Sequence, residues 1–131
     1  MASVRGHLTE CSCGQLKAMC SGEQVRVSVC HCLACKRRTG SAFSFNARFF
    51  QEAVSIEGKQ ADFQRTSDTG ARVTYCFCPH CGSTVYYTLE TEPDLIAIPA
   101  GTFADLWFPP PFLSFITKAV AVTGSKFVQS H

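Results

Sequence analysis

Charge is scarce in this chain, and that scarcity is informative. Only 17% of the 131 residues are charged and the formal net charge is +2. A nucleic-acid ribbon would carry a broad basic face with interleaved aromatics, so nucleic acid is not an expected partner. Long apolar runs are also missing. Nothing approaches the roughly 20 residues needed to cross a bilayer as a helix, so no membrane partner is expected either. Met1 to Glu10 lack the apolar stretch of a secretory leader, which leads us to expect a reducing, cytoplasmic setting. Internal repeats, low-complexity blocks and the sustained periodicity of a long amphipathic helix are absent too. One domain over residues 1–131 is the expectation, with 46% apolar residues to build its core.

Cysteine, by contrast, is plentiful: there are nine. An odd number leaves a disulfide framework incomplete, and a reducing compartment would not maintain one. Thiolates on metal are the better expectation. Between the cysteines the chain reads as short strands. Leu16 to Cys20 is one, with Gln24 to Val29 as its expected hairpin partner across Ser21-Gly22. Phe43, Phe45, Ala47 and Phe49 alternate onto one face, and Val54 and Ile56 mark another short strand. Phe63 to Thr66 and Ala71 to Phe77 flank the turn Asp68-Thr69-Gly70. Val73, Tyr75 and Phe77 share one face there, and Cys76 and Cys78 the other. Val85, Tyr87 and Leu89 alternate next, Leu95 to Ile98 is a buried run, and Pro99 to Gly101 turns it. Pro109-Pro110-Pro111 reads as a stiff connector before a last strand in Phe112 to Val122. The fold class is mostly β, a small twisted sheet assembly or open barrel stabilised by zinc.

Three cysteine motifs carry the chemistry. Cys78-Pro79-His80-Cys81-Gly82 is the sharpest: proline presets the turn, and glycine allows the positive φ that zinc knuckles need. Cys11-Ser12-Cys13-Gly14 is a second tight turn. Cys30-His31-Cys32-Leu33-Ala34-Cys35 follows a strand and supplies three thiols at C-x-C-x-x-C spacing. Three protein ligands are one short of the tetrahedron that a structural zinc fills, and a reactive zinc keeps that position for substrate. The two pairs Cys11/Cys13 and Cys78/Cys81 make a four-cysteine set. Spacing alone also permits Cys20 or Cys76 to complete the triplet, although both suit the role of small buried hydrophobes. Around the triplet, His31 is a candidate proton shuttle or else an exposed turn residue. Arg37 and Arg38, with Lys36, are candidates to bind carboxylates, or a solvated turn offsetting the thiolates. Phe43 and Phe45 read as core before pocket wall, and His80 is given no role.

Taken together, these three motifs resemble the glutathione-dependent formaldehyde-activating enzyme family, which shares a domain with centromere protein V. Order, spacing and flanking residues match over roughly positions 5 to 105, including Lys36-Arg37-Arg38-Thr39-Gly40 after the triplet. The resemblance implies a mostly β, Mss4-like fold of small twisted sheets with two zinc ions. It places Cys11, Cys13, Cys78 and Cys81 on a structural zinc, and Cys30, Cys32 and Cys35 on a catalytic one. It implies a carbon–sulfur lyase handling S-(hydroxymethyl)glutathione, with glutathione or another small thiol and an aldehyde as partners. A non-catalytic zinc module binding glutathione, a protein or nucleic acid is the alternative. The family's C-terminal part usually carries a histidine-aromatic strand followed by a tryptophan. Here Phe112 to Gly124 has Phe115-Ile116-Thr117 and no such tryptophan.

Overall fold

The computed structural model describes residues 6–103. Nine short strands run in chain order: β1 (Gly6–Glu10), β2 (Lys17–Ser21), β3 (Arg26–Cys30), β4 (Ser44–Phe50), β5 (Val54–Glu57), β6 (Ala61–Thr66), β7 (Arg72–Phe77), β8 (Thr84–Leu89) and β9 (Glu92–Pro99). A single helix, α1 (Leu33–Thr39), interrupts them after β3. They form two open antiparallel sheets, a three-stranded one ordered β1-β2-β5 and a six-stranded one ordered β3-β4-β9-β8-β7-β6. The expectation of a mostly β chain with open sheets holds. Among the described residues no helix is long and apolar enough to cross a membrane. The Pro109–Pro111 connector, the Phe112–Val122 strand and Phe115-Ile116-Thr117 lie outside the described residues.

Strand alternation determines where the core sits. Leu16, Ala18 and Cys20, in and just before β2, pack with Ala47 and Phe49 of β4, Val85 of β8, and Ile96 and Ile98 of β9. This core joins the small sheet to one face of the large one. On the other face, Val73, Tyr75, Tyr87 and Ala97 form a second cluster. Cross-strand partners share a face in an antiparallel sheet. The pairs Arg26↔Arg48, Arg48↔Ala97, Ala97↔Tyr87, Tyr87↔Tyr75 and Tyr75↔Phe63 therefore form one continuous row on that second face.

The structure corrects four readings. Gln24 to Val29 does not pair with β2: β3 pairs with β4, while β2 lies between β1 and β5. Period-two alternation assigns a strand its buried face but not its neighbour. The alternation of Val85, Tyr87 and Leu89 is broken, because the register shifts between Cys76 and Phe77 and leaves Val85 as an extra residue. Val85 and Tyr86 thus pack into the first core and Tyr87 into the second. The segment after Cys32 is a helix, not a solvated turn. Cys32 caps its start, with its sulfur accepting from Cys35 N, and Gly40 at φ 69 closes its end. His31, finally, is buried and not an exposed turn residue.

Candidate metal centres and active site

Two turns from different sheets build the first cysteine cluster. Cys11 and Cys13 sit in the β1–β2 turn, and Cys78 and Cys81 in the β7–β8 turn. Each turn is closed by a backbone bond back to its first cysteine, Gly14 N to Cys11 O at 3.0 Å and Gly82 N to Cys78 O at 2.8 Å. Both glycines hold φ 83, the left-handed region that a side chain at Cβ disfavours. Ser12 Oγ and Ser83 Oγ, 3.0 Å apart, stitch the two turns together. All four sulfurs lie within 4.8 Å of one another. Cys11–Cys13 is 3.6 Å and Cys13–Cys78 is 3.7 Å. A tetrahedron with bonds of about 2.3 Å has sulfur–sulfur edges of about 3.8 Å, so the donor set fits one zinc-sized ion.

Donors around the cluster favour its thiolate form. Leu16 N points at Cys11 Sγ (3.3 Å), His80 N at Cys78 Sγ (3.3 Å) and the Gln15 amide at Cys78 Sγ (3.0 Å). Desolvation works against an anion at Cys78, but Gln15 and the backbone N–H groups of Cys81 and His80 outweigh it and hold the thiol below its ordinary value. Gln15 is fully engaged, since its amide also donates to Lys59 O (2.7 Å) and its Oε1 accepts from Lys59 N (2.9 Å).

The second cluster forms within one short segment. Cys30 ends β3, Cys32 caps α1 and Cys35 lies in its first turn, which brings the three sulfurs within 4.8 Å of one another. Among the described residues no further Cys, His, Asp or Glu joins them. Cys35 N reaches Cys32 Sγ at 3.4 Å. A hydrogen bond from Cys30 holds the Cys35 thiol down, with Ser44, Cys32 and Arg38 acting alongside it against burial. The same contact, together with burial, pushes Cys30 up. Three crowded thiols that compete for protons in this way suit a cation that takes all three as thiolates. Cys20 and Cys76 belong to neither cluster. Burial pushes Cys20 up to about 12 and is the first cause raising Cys76, as expected of inert core thiols.

The triplet lines a cleft of about 270 Å³ on the second face of the large sheet, with Arg48, Arg65, Tyr75 and Tyr87. A larger cleft of about 560 Å³ adjoins it through Arg65 and Tyr75, which line both. Arg37 and Arg38 line the larger cleft together with Phe63, Phe77 and Thr84. The Arg38 guanidinium lies 5.0 Å from the Tyr75 ring centre and 5.4 Å from that of Tyr87. His31 packs its ring edge-on against Phe43, 5.6 Å between centres, and lines neither cleft. Phe43 and Phe45 line neither as well.

A family model for glutathione-dependent formaldehyde-activating enzymes matches residues 7–118. The chain belongs to that family. No curated protein sequence matches it. A crystal structure of a Rhodobacter sphaeroides protein is similar in fold, with a TM-score of 0.62 at 18% identity over 81% of this chain and 94% of that one.

Sequence reasoning missed two arginines of the smaller cleft, Arg65 and Arg48. Arg65 Nε donates to Tyr75 Oη at 3.0 Å, and its Nη2 lies 4.0 Å from Cys32 Sγ. Burial opposes the Arg65 charge, but the Tyr75 hydroxyl and the thiols of Cys32 and Cys35 favour it and prevail. The signal was available. The Asp68-Thr69-Gly70 turn sets Arg65 opposite Val73 and Phe63 opposite Tyr75, on the face already assigned to Tyr75. Arg48 is bound by Glu92 at 3.0 Å and by Ser28 Oγ, and Glu92 also takes Arg26 at 2.6 Å. That pairing joins residues far apart in the chain and left no local pattern.

Proposed function

We propose that this chain is a zinc-dependent carbon–sulfur lyase of the formaldehyde-activating type. It forms or cleaves a thiol–aldehyde adduct such as S-(hydroxymethyl)glutathione. One observation carries the reading: three sulfurs converge in the wall of a cleft, and among the described residues no fourth ligand closes the set. An ion held by Cys30, Cys32 and Cys35 supplies a position for a fourth, soft ligand and favours that ligand's thiolate form. Cys11, Cys13, Cys78 and Cys81 hold the other, structural ion. Arg37, Arg38 and Arg65 line the adjoining cleft with no acidic residue among its walls, which suits a thiol that also carries carboxylates. His31, the candidate proton shuttle of the sequence, is buried against Phe43 and lines neither cleft, so in this reading the proton moves through solvent. The partners are a small thiol and an aldehyde.

The test uses cobalt-substituted protein, whose absorption reports the number of sulfur ligands. Adding glutathione is expected to change the spectrum of the triplet site alone, with proton release measured by calorimetry in two buffers. Arg37→Ala should weaken glutathione binding about tenfold, the equivalent of one lost charge-assisted contact, with metal content unchanged. An unchanged spectrum with both ions retained would mean a closed site, and the non-catalytic zinc module would then replace this reading.

A further inference from the structure

Adding a thiolate to an aldehyde moves charge onto an oxygen, and of the three cysteine motifs only the thiols of Cys30, Cys32 and Cys35 line the smaller cleft. We infer that Tyr75 donates the hydrogen bond that holds this oxygen, with Arg65 as its positioning residue; the inference rests on the function proposed above. The Tyr75 ring is fixed on the floor of the site. It is 5% exposed, the Arg38 guanidinium covers it at 5.0 Å, and the Tyr87 ring packs on it at 5.3 Å. Its hydroxyl accepts from Arg65 Nε at 3.0 Å. A phenol has one hydrogen, and accepting from Arg65 leaves that hydrogen free for another acceptor. Among the described residues no protein acceptor takes it.

Location follows from the same arginine. One planar guanidinium spans from Tyr75 Oη to within 4.0 Å of Cys32 Sγ, so the phenol stands beside the thiol triplet, and both line the smaller cleft. Other polar groups nearby are committed elsewhere or face away. Arg48 is held by Glu92 and Ser28, and His31 lines neither cleft.

The step balances without any further reactant. The sulfur of the substrate thiolate bonds to the aldehyde carbon, the carbon–oxygen π bond breaks, and its electron pair moves to oxygen. Tyr75 Oη–H meets that developing anion, and the Arg65 charge polarises the O–H bond. The proton given up by the thiol returns to the oxygen through solvent, so thiol plus aldehyde gives the hydroxymethyl thioether. In reverse, the same donor stabilises the oxygen while the carbon–sulfur bond breaks. Donors aimed at charge that appears only in the transition state raise turnover more than they raise affinity.

Exchange between glutathione, formaldehyde and their adduct, followed by NMR on the zinc-loaded chain, tests this. Tyr75→Phe keeps the ring and its packing under Arg38. It is expected to lower kcat about 100-fold, the size of one lost oxyanion donor, with the KM for glutathione within about twofold and the cobalt spectrum unchanged. Arg65→Met leaves the phenol in place without its polarising partner and should lower kcat about tenfold, with Arg65→Lys recovering part of the loss. A Tyr75→Phe protein with undiminished kcat would overturn the assignment while leaving the function standing, as would a rise in KM that accounts for the whole loss. Wild-type protein that does not accelerate exchange at all would overturn the function and the assignment together.

Discussion

The two cysteine clusters use the same side chain to opposite ends. The first takes its sulfurs from turns 65 residues apart, Cys13 and Cys78 being in contact at 3.7 Å, and ties the small sheet to the large one. Its two deepest members, Cys11 and Cys78, are part of the apolar core, and donors from Leu16, His80 and Gln15 surround its sulfurs. The second takes its sulfurs from a six-residue stretch and opens onto a cleft lined by arginine and tyrosine. A cluster that joins distant segments constrains the fold across a long loop, a gain that grows only logarithmically with loop length, whereas a cluster made within one segment adds less to the fold. In the proposed function, sequence separation, more than ligand type, distinguishes the two roles.

The sharpest test of that contrast is to remove one sulfur from each. Cys78→Ser should unfold the chain or cost several kcal/mol, because a structural zinc held there, as proposed, would contribute on the order of 10 kcal/mol to the folded state. Cys32→Ser should keep most of the fold and lose glutathione binding. Thermal melts of the two variants decide it, and a more damaging Cys32→Ser would exchange the roles. A gentler test keeps the sequence intact. Under brief, mild chelation the triplet ion should leave first and the four-cysteine ion stay, as metal analysis before and after would report; simultaneous loss would erase the distinction.

A third, smaller effect concerns the cleft side alone. Burial pushes the Glu92 carboxyl up, but hydrogen bonds from Arg26 and Arg48 outweigh it and hold it below its usual value. A depressed carboxyl stabilises the fold above its unfolded value of about 4.3, and that contribution disappears as pH falls through the lower folded value. Glu92→Gln should therefore cost about 1 kcal/mol at neutral pH and progressively less below pH of about 4, in melts of the metal-loaded chain. A pH-independent difference would mean that packing, not charge, accounts for Glu92.

Much of this was legible in the residues. The Cys78-Pro79-His80-Cys81-Gly82 knuckle, the Asp68-Thr69-Gly70 hairpin and the Ala47/Phe49 face are all local, and each was read from its own spacing. The partner of β2 was not legible, because alternation assigns a face and says nothing of the neighbour. Nor was α1, seven residues whose start is capped by a cysteine that also belongs to the triplet. The bulge at Cys76/Phe77 left no mark in the sequence, and it decides that the neighbours Val85 and Tyr86 pack into the same core. The candidate site was half read: its thiols sit together in the chain, whereas Arg65, Tyr75 and Arg48 come together only through the sheet.

Gln15 couples the four-cysteine cluster to the crossing between the two sheets. Its side chain holds Cys78 and both backbone groups of Lys59, and Lys59 lies in the link from β5 to β6, where the chain leaves one sheet for the other. Gly58 beside it lies so close that an added Cβ would sit 2.1 Å from Gln15 O. One side chain therefore serves both the crossing between the sheets and the four-cysteine cluster, so a displaced β1–β2 turn is felt at Cys78 and at the link together.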